Sequence, residues 1–314
     1  MSPAEIGCHM LALQFEEFGP PSVIKIVDHP HLLPGPEEVL VDMAYAGLNP
    51  VDSNRRKGLA EGVSLPSGVG REFSGVVRAV GGEVKGVVPG DLVLGSGEGI
   101  IGEEVVVHSS MLAPVPQGLD LQRASCLAVA PQTAWCALNS QPVNSGSTIL
   151  VSGASGGVGS IVAQLAVQRG AKVIGTARVA NHDLLRSWGV TPLDYATFII
   201  EGVRVLAPEG VDIVFDHTGD ETVLAALALG VPRERINSTS GAGITHGTPT
   251  VGRKGINQEA ISKLGSLISA KKIDLRIHAV LDWFEAREAY ELLDSGDTSG
   301  KVVLRFPKLA DRSE

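Results

Sequence analysis

The feature that most constrains the fold is a glycine-rich turn between two apolar segments. The segment before the turn, Thr148–Val151, is short and β-branched, as is typical of a buried strand. The segment after it, Ser160–Arg169, has apolar residues at helical spacing, and a second apolar strand follows at Lys172–Thr176. This order of strand, turn, helix and strand predicts a right-handed crossover in a parallel sheet.

The turn itself indicates what lies against it. It matches the last two glycines of the dinucleotide-binding pattern G-x-G-x-x-G at Gly156 and Gly159, with Ala154 in place of the first glycine. Gly156 would let the backbone approach a pyrophosphate, and Gly159 would let the helix pack tightly on the strand. The free N–H groups at the start of the helix favour an anion. We therefore predict a dinucleotide site, although a plain glycine turn remains the alternative.

The end of the second strand indicates which dinucleotide binds. An NAD site usually has an acidic residue there for the ribose hydroxyls, but residues 171–181 contain no Asp or Glu. Arg178 instead offers a planar cation to a 2′-phosphate, unless it is simply a solvated loop charge. The sequence favours NADP(H).

The chain divides into two regions with different secondary-structure patterns. Up to about Gln117, short β-like runs alternate with Gly and Pro turns, which predicts a small barrel or sandwich. From about Leu119, helices alternate with strands, beginning with a helical pattern at Leu121–Leu138 that Asp120 would cap. With 38 glycines and 4% aromatics, we expect a core of Val, Leu, Ile and Ala, as in buried parallel sheets. An amphipathic helix near Trp283–Leu293 and a strand at 302–306 end the pattern.

Several motifs together resemble the medium-chain dehydrogenase/reductase superfamily, and most of all its zinc-free quinone oxidoreductase (zeta-crystallin-like) branch. Besides the glycine turn, they are Asn49-Pro50-Val51-Asp52, Gly70-Arg71-Glu72-Phe73-Ser74-Gly75, Gly90-Asp91, Gln132-Thr133-Ala134 and Gly300-Lys301-Val302-Val303-Leu304. The resemblance implies an α/β protein with a doubly wound (Rossmann) cofactor domain and a GroES-like β-barrel catalytic domain. The expected boundaries are 1–122 for the catalytic domain and 123–265 for the NADP-binding domain. Residues 266–314 would complete the sheet and return to the catalytic domain.

The resemblance also implies roles for individual residues. The expected catalytic residues, on the floor of a cleft, are Asn49, Asp52 and Asn54. The expected cofactor-binding residues are Asn49, Thr133, Ser155, Gly156, Gly157, Val158, Thr176, Arg178, Tyr195, Thr218, Gly219, Ser240, Gly241 and Lys301. Simpler alternatives remain for several of them, such as a helix cap for Asp52 and a buried helix hydroxyl for Thr133. His217 and His246 could be proton donors or structural histidines.

A catalytic zinc ion is not expected. Zinc needs three protein ligands chosen from Cys, His and carboxylate. Asn49 and Arg71 stand where the zinc-dependent relatives have a cysteine and a histidine, so Glu72 alone remains. We therefore expect no metal site.

Without a metal ion, the acceptors that need the least help are conjugated, because the charge that develops spreads onto an oxygen. The sequence thus predicts an NADPH-dependent reductase of quinones or α,β-unsaturated carbonyls. A biosynthetic enoyl (thioester) reductase and an NADPH-binding structural or sensing protein with little turnover remain alternatives.

Charge and hydropathy exclude other classes of partner. The net charge of −9 and the lack of a basic tract argue against nucleic acid. Apolar runs such as Val223–Val231 are too short to cross a membrane. The N-terminus, which contains Glu5, shows no charged-then-apolar leader, so we expect a cytoplasmic protein. We further expect Asp274–Val280 to be the last strand of the cofactor sheet, where its edge would pair two subunits of a homodimer.

Overall fold

The computed structural model describes residues 9–196 and 198–307 of the 314-residue chain. Glu5, used above, lies outside the described residues. In chain order the strands are β1 His9–Phe15, β2 Lys25–Pro30, β3 Glu38–Gly47, β4 Ser67–Gly68, β5 Glu72–Val80, β6 Leu92–Ser96, β7 Glu104–His108, β8 Leu112–Pro114, β9 Thr148–Val151, β10 Lys172–Ala177, β11 Thr191–Asp194, β12 Ile213–Asp216, β13 Ile236–Ser238, β14 Ile277–Asp282 and β15 Lys301–Arg305. The helices are α1 Pro50–Arg56, α2 Leu121–Ala124, α3 Ala130–Asn139, α4 Gly159–Gln168, α5 His182–Ser187, α6 Ile199–Leu206, α7 Asp220–Ala228, α8 Ala242–His246, α9 Gln258–Ser269 and α10 Ala286–Asp294.

The chain forms two compact units, and each is discontinuous in sequence. Unit 1 comprises residues 1–129, 255–270 and 277–314, and unit 2 comprises residues 130–254 and 271–276. Among the described residues, no helix combines the length and the apolar composition needed to cross a bilayer.

Unit 1 is built on antiparallel strands. Its larger sheet has the order β14-β15-β3-β5-β6-β8, with β7 also paired to β3, and its smaller sheet has the order β2-β1-β4. The core between the strands includes large rings such as Phe15, Phe73 and Tyr290. Trp283 lies just before α10 and stacks on Phe306, just after β15, with ring centroids 5.0 Å apart. This contact joins the start of α10 to the end of the last strand.

Unit 2 is a five-stranded parallel sheet in the order β11-β10-β9-β12-β13. The predicted crossover around the glycine turn is confirmed, since β9 and β10 are parallel neighbours joined through α4. The core cluster over this sheet consists of Leu, Ile, Val and Ala side chains without an aromatic ring, as the composition predicts. Asp120 caps α2 as predicted, accepting a hydrogen bond from Arg123 N at 2.7 Å.

Two predictions about elements are wrong. The helical pattern at Leu121–Leu138 forms two helices, α2 and α3, because the chain turns at 125–129. The strand predicted at Asp274–Val280 forms at Ile277–Asp282 and lies in unit 1, where it runs parallel to β15 and edges the larger sheet. Its apolar residue Leu281 packs on the unit 1 core, a preference that strand periodicity cannot reveal. This strand is therefore an edge strand of unit 1 and not of the cofactor sheet, and the expected homodimer stays a prediction.

The close approach of α4 to β9 gives a stability prediction. A Cβ atom built on Gly159 would lie 2.4 Å from the carbonyl oxygen of Gly153, and backbone cannot yield there as a flexible side chain could. We expect Gly159→Ala to lower the free energy of unfolding by about 1–3 kcal/mol, measured by urea denaturation.

The matched control is Gly252→Ala in the same unit. A Cβ atom there would lie 3.6 Å from the Thr133 methyl group, which is an ordinary contact. If both variants unfolded at the same urea concentration as the parent protein, the close packing of α4 on β9 would be refuted.

Candidate active site

The glycine turn of unit 2 is hydrogen-bonded to β10. Gly153 N donates to Thr176 Oγ1 at 3.1 Å, and Ala154 N donates to Thr176 O at 2.9 Å. Gly153 adopts a φ of +59°, which favours glycine. Thr176 is buried, so its hydroxyl supports the turn rather than reaching outward.

The same turn also presents backbone N–H donors. The amides of Gly157 and Val158 lie directly before α4, whose N-terminal end favours negative charge. A Cβ atom on Gly156 would lie 3.2 Å from Gly153 O, so a side chain fits poorly there and the backbone stays bare. Backbone amides, a helix N-terminus and a bare backbone fit the pyrophosphate of a dinucleotide.

A second group of predicted residues lies at the carboxyl end of β10. The guanidinium of half-buried Arg178 donates from Nε to the hydroxyl of Tyr195 at 3.0 Å. Ser155, in the glycine turn, accepts a hydrogen bond from Asn181 Nδ2 at 3.3 Å. The structure thus pairs Arg178 with Tyr195 and links Ser155 to the loop that follows Arg178. A cation paired with a neutral hydroxyl fits a phosphate monoester.

The other predicted cofactor residues converge on a carboxylate that the sequence analysis did not select. Asp216, fully buried at the end of β12, accepts hydrogen bonds at Oδ1 from Ser152 Oγ and the amides of Thr218 and Gly219. Its Oδ2 accepts from the hydroxyls of Ser238 and Ser240, both at 2.7 Å. Burial alone would raise the pKa of Asp216, but these donors hold it below its usual value. Asp216 therefore fixes the turns after β12 and β13.

In unit 1 the motif residues form a buried polar cluster. Lys301 Nζ donates to Leu48 O at 2.6 Å, to Asn49 Oδ1 at 2.6 Å and to Glu72 Oε1 at 2.8 Å. Asn49 Nδ2 in turn donates to Glu72 Oε1 at 2.9 Å, and Glu72 Oε2 accepts from Val129 N at 2.8 Å. Lys301 is 3% exposed and Glu72 is fully buried. Burial favours a neutral lysine, but the carboxylate of Glu72 outweighs it and raises the pKa of Lys301, so the pair is ionic.

This cluster bears on two of the predictions. An ammonium group has three N–H donors, and each of those of Lys301 has an acceptor within the chain. Lys301 therefore orients Asn49 and Glu72, and its predicted cofactor contact has no donor left to make it. Glu72 belongs to this cluster, although the sequence suggested it only as a metal ligand. The signal that could have found it is that Glu72 and Lys301 each lie in a motif of the same family.

The remaining predicted residues have surroundings of their own in each unit. Asp52 is buried at the start of α1, where its Oδ2 accepts a hydrogen bond from Asn49 N at 2.9 Å. Asn54 is exposed on the same helix and is not brought against Asn49 or Asp52. Thr133 is half-buried on α3 in unit 2, and Gly241 begins α8 with a φ of +93°. His246 is paired with Asp220, their Nε2 and Oδ1 atoms 2.9 Å apart.

The carboxylates beside Asn49 and Arg71 are paired with cations. Glu72 is paired with the Lys301 ammonium, and Arg71 donates from Nη2 to Glu98 Oε1 at 2.8 Å. Within residues 9–196 and 198–307, no group of three His, Cys, Asp or Glu side chains is arranged to hold a metal ion. The donor set at Asn49, Arg71 and Glu72 does not fit zinc, because an amide is a poor ligand and two positive charges would repel the ion.

The burial of Asp52 gives a prediction about pH. Burial, which is only partly offset by the Asn49 amide and the Lys301 charge, raises the pKa of Asp52 to about 7. Because the folded pKa exceeds the unfolded one, the protonated carboxyl stabilises the fold at low pH, and this stability is lost as the pH rises from about 4 to about 7. Relative to Asp52→Asn, which stays neutral, the parent protein should lose about 4 kcal/mol of unfolding free energy over that range.

The measurement is urea unfolding of both proteins at pH values from 4.5 to 8, with Glu61→Gln as the control. Glu61 is an exposed carboxylate of unit 1, so its variant should keep a constant offset from the parent. A constant offset for Asp52→Asn as well would show that Asp52 titrates normally.

Comparison with known proteins identifies the family. One family model, the alcohol dehydrogenase GroES-like domain, matches residues 35–117, and a second, zinc-binding dehydrogenase, matches residues 157–286. The 2-methylene-furan-3-one reductase of Solanum lycopersicum is 30% identical over 323 residues, covering 95% of this chain and 80% of the relative.

Solved structures agree. The quinone oxidoreductase from Coxiella burnetii has a TM-score of 0.85 at 31% identity, covering 95% of this chain and 99% of that chain. The Escherichia coli quinone oxidoreductase complexed with NADPH has a TM-score of 0.83 at 25% identity, covering 94% and 100%. The predicted fold class is confirmed as α/β, with a Rossmann-type parallel sheet and a GroES-like domain. The chain belongs to the medium-chain dehydrogenase/reductase superfamily, in its quinone oxidoreductase branch.

Proposed function

We propose that this oxidoreductase transfers a hydride from NADPH to a quinone or an α,β-unsaturated carbonyl without a zinc ion. The observation that carries the proposal is the ion pair of Lys301 with Glu72, with Asn49 bound to both. It places an ammonium group against the carboxylate that a metal ion would need. Hydrogen-bond donors, and not a metal ion, then stabilise the charge that develops on the acceptor. Such donors suffice where the acceptor is conjugated.

The cofactor is NADP(H), as the NADPH complex of the Escherichia coli relative supports. In this chain the amides of Gly157 and Val158 bind the pyrophosphate, beside Ser155 and Gly156. The guanidinium of Arg178 and the hydroxyl of Tyr195, 3.0 Å apart, bind the 2′-phosphate. The serine and threonine turns that Asp216 holds line the part of the site that lies across β12 and β13.

The bound cofactor supplies the hydride, and the chain supplies orientation. Lys301 keeps the Asn49 side chain in one orientation, with its amide nitrogen toward Glu72. Asp52 holds the first turn of α1 through the Asn49 amide, so it positions Asn49 from the other side. Thr133, from unit 2, remains a proposed contact to the nicotinamide, and exposed Asn54 a proposed hydrogen-bond donor to the substrate.

A conjugated acceptor fits this arrangement for a chemical reason. When hydride adds to a quinone or an enone, the negative charge delocalises onto a carbonyl oxygen, which hydrogen-bond donors can stabilise. An isolated ketone concentrates the same charge and benefits more from a cation. The reductase of Solanum lycopersicum, named for an enone substrate, supports the choice of acceptor.

The test is turnover by protein stripped of metal. After dialysis against a chelator and measurement of residual zinc, we expect NADPH oxidation with a panel of quinones and enones at the rate of the undialysed protein, followed at 340 nm. Simple ketones should be inert, and added zinc should not raise the rate. Loss of activity that zinc restores would contradict zinc independence, and binding of NADPH without turnover on any acceptor would favour a binding protein.

A second prediction concerns the choice of cofactor. Arg178→Ala should weaken NADPH binding roughly ten- to hundredfold and leave NADH nearly unaffected, because a charge-assisted hydrogen bond to phosphate is worth about 1.5–3 kcal/mol. Dissociation constants from cofactor fluorescence provide the measurement.

The matched control is Arg186→Ala, which removes an exposed arginine of the same unit that pairs with Asp183. That variant should bind both cofactors as the parent does. An equal loss of NADPH and NADH affinity in Arg178→Ala would show that Arg178 does not read the 2′-phosphate.

A further inference from the structure

A histidine lies at the point of the cofactor sheet where the strand order reverses. β9 is central, with β10 and β11 on one side and β12 and β13 on the other. His217 follows β12 directly, and its amide donates to Ser152 Oγ at 2.8 Å, where Ser152 follows β9. In open parallel sheets, ligands bind outside the carboxyl ends of the strands at this reversal. His217 therefore lies where a dinucleotide crosses the sheet.

The imidazole ring is held in one orientation. Its Nδ1 and Thr239 Oγ1 are 2.8 Å apart, and Thr239 follows β13. The residue is thus anchored to the turns after all three neighbouring strands: its backbone follows Asp216 and bonds to Ser152, and its ring bonds to Thr239. Because Nδ1 of the ring is bonded to Thr239, the second ring nitrogen, Nε2, has a defined position.

That remaining nitrogen has no hydrogen-bond partner among the residues that the structure describes. Nε2 of His217 is buried, and within the described residues no donor or acceptor lies in hydrogen-bond range of it. Burial lowers the pKa of His217 to about 4, with the Asp216 charge opposing, so the ring is neutral near pH 7. A buried polar atom without a partner costs free energy, and a ligand that supplies the partner recovers it.

The two halves of the sheet divide the cofactor between them. Arg178 and Tyr195, assigned to the 2′-phosphate of the adenosine half, follow β10 and β11. His217 and Thr239 follow β12 and β13, on the opposite side of the central strand. A dinucleotide laid across the reversal therefore places its nicotinamide half over His217. A ribose hydroxyl both donates and accepts at a single oxygen, so it suits either tautomer of a neutral imidazole.

We propose that Nε2 of His217 binds a hydroxyl of the ribose that carries the nicotinamide, and so positions the reactive end of the cofactor. The inference rests on the proposed function, because it requires NADP(H) at this edge of unit 2. It assigns His217 a positioning role that does not include proton transfer.

The experiment compares His217→Leu and His217→Gln with the parent protein, using three ligands. NADPH contains the nicotinamide and its ribose, 2′-phospho-ADP-ribose retains the ribose alone, and adenosine 2′,5′-bisphosphate lacks both. We expect His217→Leu to weaken the first two about three- to tenfold and to leave the third unchanged, since a neutral hydrogen bond is lost. His217→Gln, whose amide reaches a similar position, should lose less.

A second readout does not depend on affinity. In protein with ¹⁵N-labelled histidine, saturation with 2′-phospho-ADP-ribose should shift the His217 Nε2 resonance, whereas adenosine 2′,5′-bisphosphate should not. His246→Gln is the control for affinity, because that histidine is already paired with Asp220. It should bind all three ligands as the parent does.

Each outcome decides between the alternatives. Unchanged affinities in His217→Leu, or equal losses for all three ligands, would overturn the role of His217 while leaving the function in place. A loss for NADPH but not for 2′-phospho-ADP-ribose would also overturn it, because the contact would then be to the nicotinamide. Failure of the parent protein to bind NADPH would overturn the proposed function and this inference together.

Discussion

The buried ion pair of Lys301 and Glu72 is the interaction on which the organisation of unit 1 depends. It links β15, near the C-terminus, to β3 and β5 from the first quarter of the chain, through the backbone of Leu48 and the side chain of Asn49. Removing two charges from water is costly, and the pair is tolerable because each donor and acceptor is matched. The same matching determines the chemistry, since a carboxylate that binds an ammonium group does not bind a metal ion.

Unit 2 solves a similar problem with one charge. The Asp216 carboxylate is buried, and hydroxyl and amide donors from the turns after three strands satisfy it. These donors order the carboxyl edge of the sheet, where Thr218, Gly219 and Ser240 are expected to meet the cofactor. Both units thus build their functional residues around a buried carboxylate, because a buried charge requires fixed partners and fixed partners keep neighbouring side chains in place.

Local pattern was sufficient for some elements. The strand, turn and helix around Gly156 and Gly159 were predictable, since each step depends on neighbouring residues and on the space that glycine leaves. The break between α2 and α3 was missed because apolar spacing continues through it. The strand near Val280 was predicted as a strand but in the wrong sheet, because pairing with β15 depends on contacts between residues far apart in sequence.

For the candidate site, too, some features were predictable from the sequence and others only from the structure. Residue type alone indicated a phosphate-binding turn, a cation at Arg178 and the lack of zinc ligands at Asn49 and Arg71, because these follow from chemistry carried by single side chains. The folded chain decided that Lys301 uses its donors on Glu72 and Asn49 and that Asp216 holds the neighbouring turns. It also decided that Nε2 of His217 is buried with no partner among the described residues. Those outcomes depend on which strands become neighbours, and hydrogen-bond partners at that distance are set by tertiary packing and leave no local signal in the sequence.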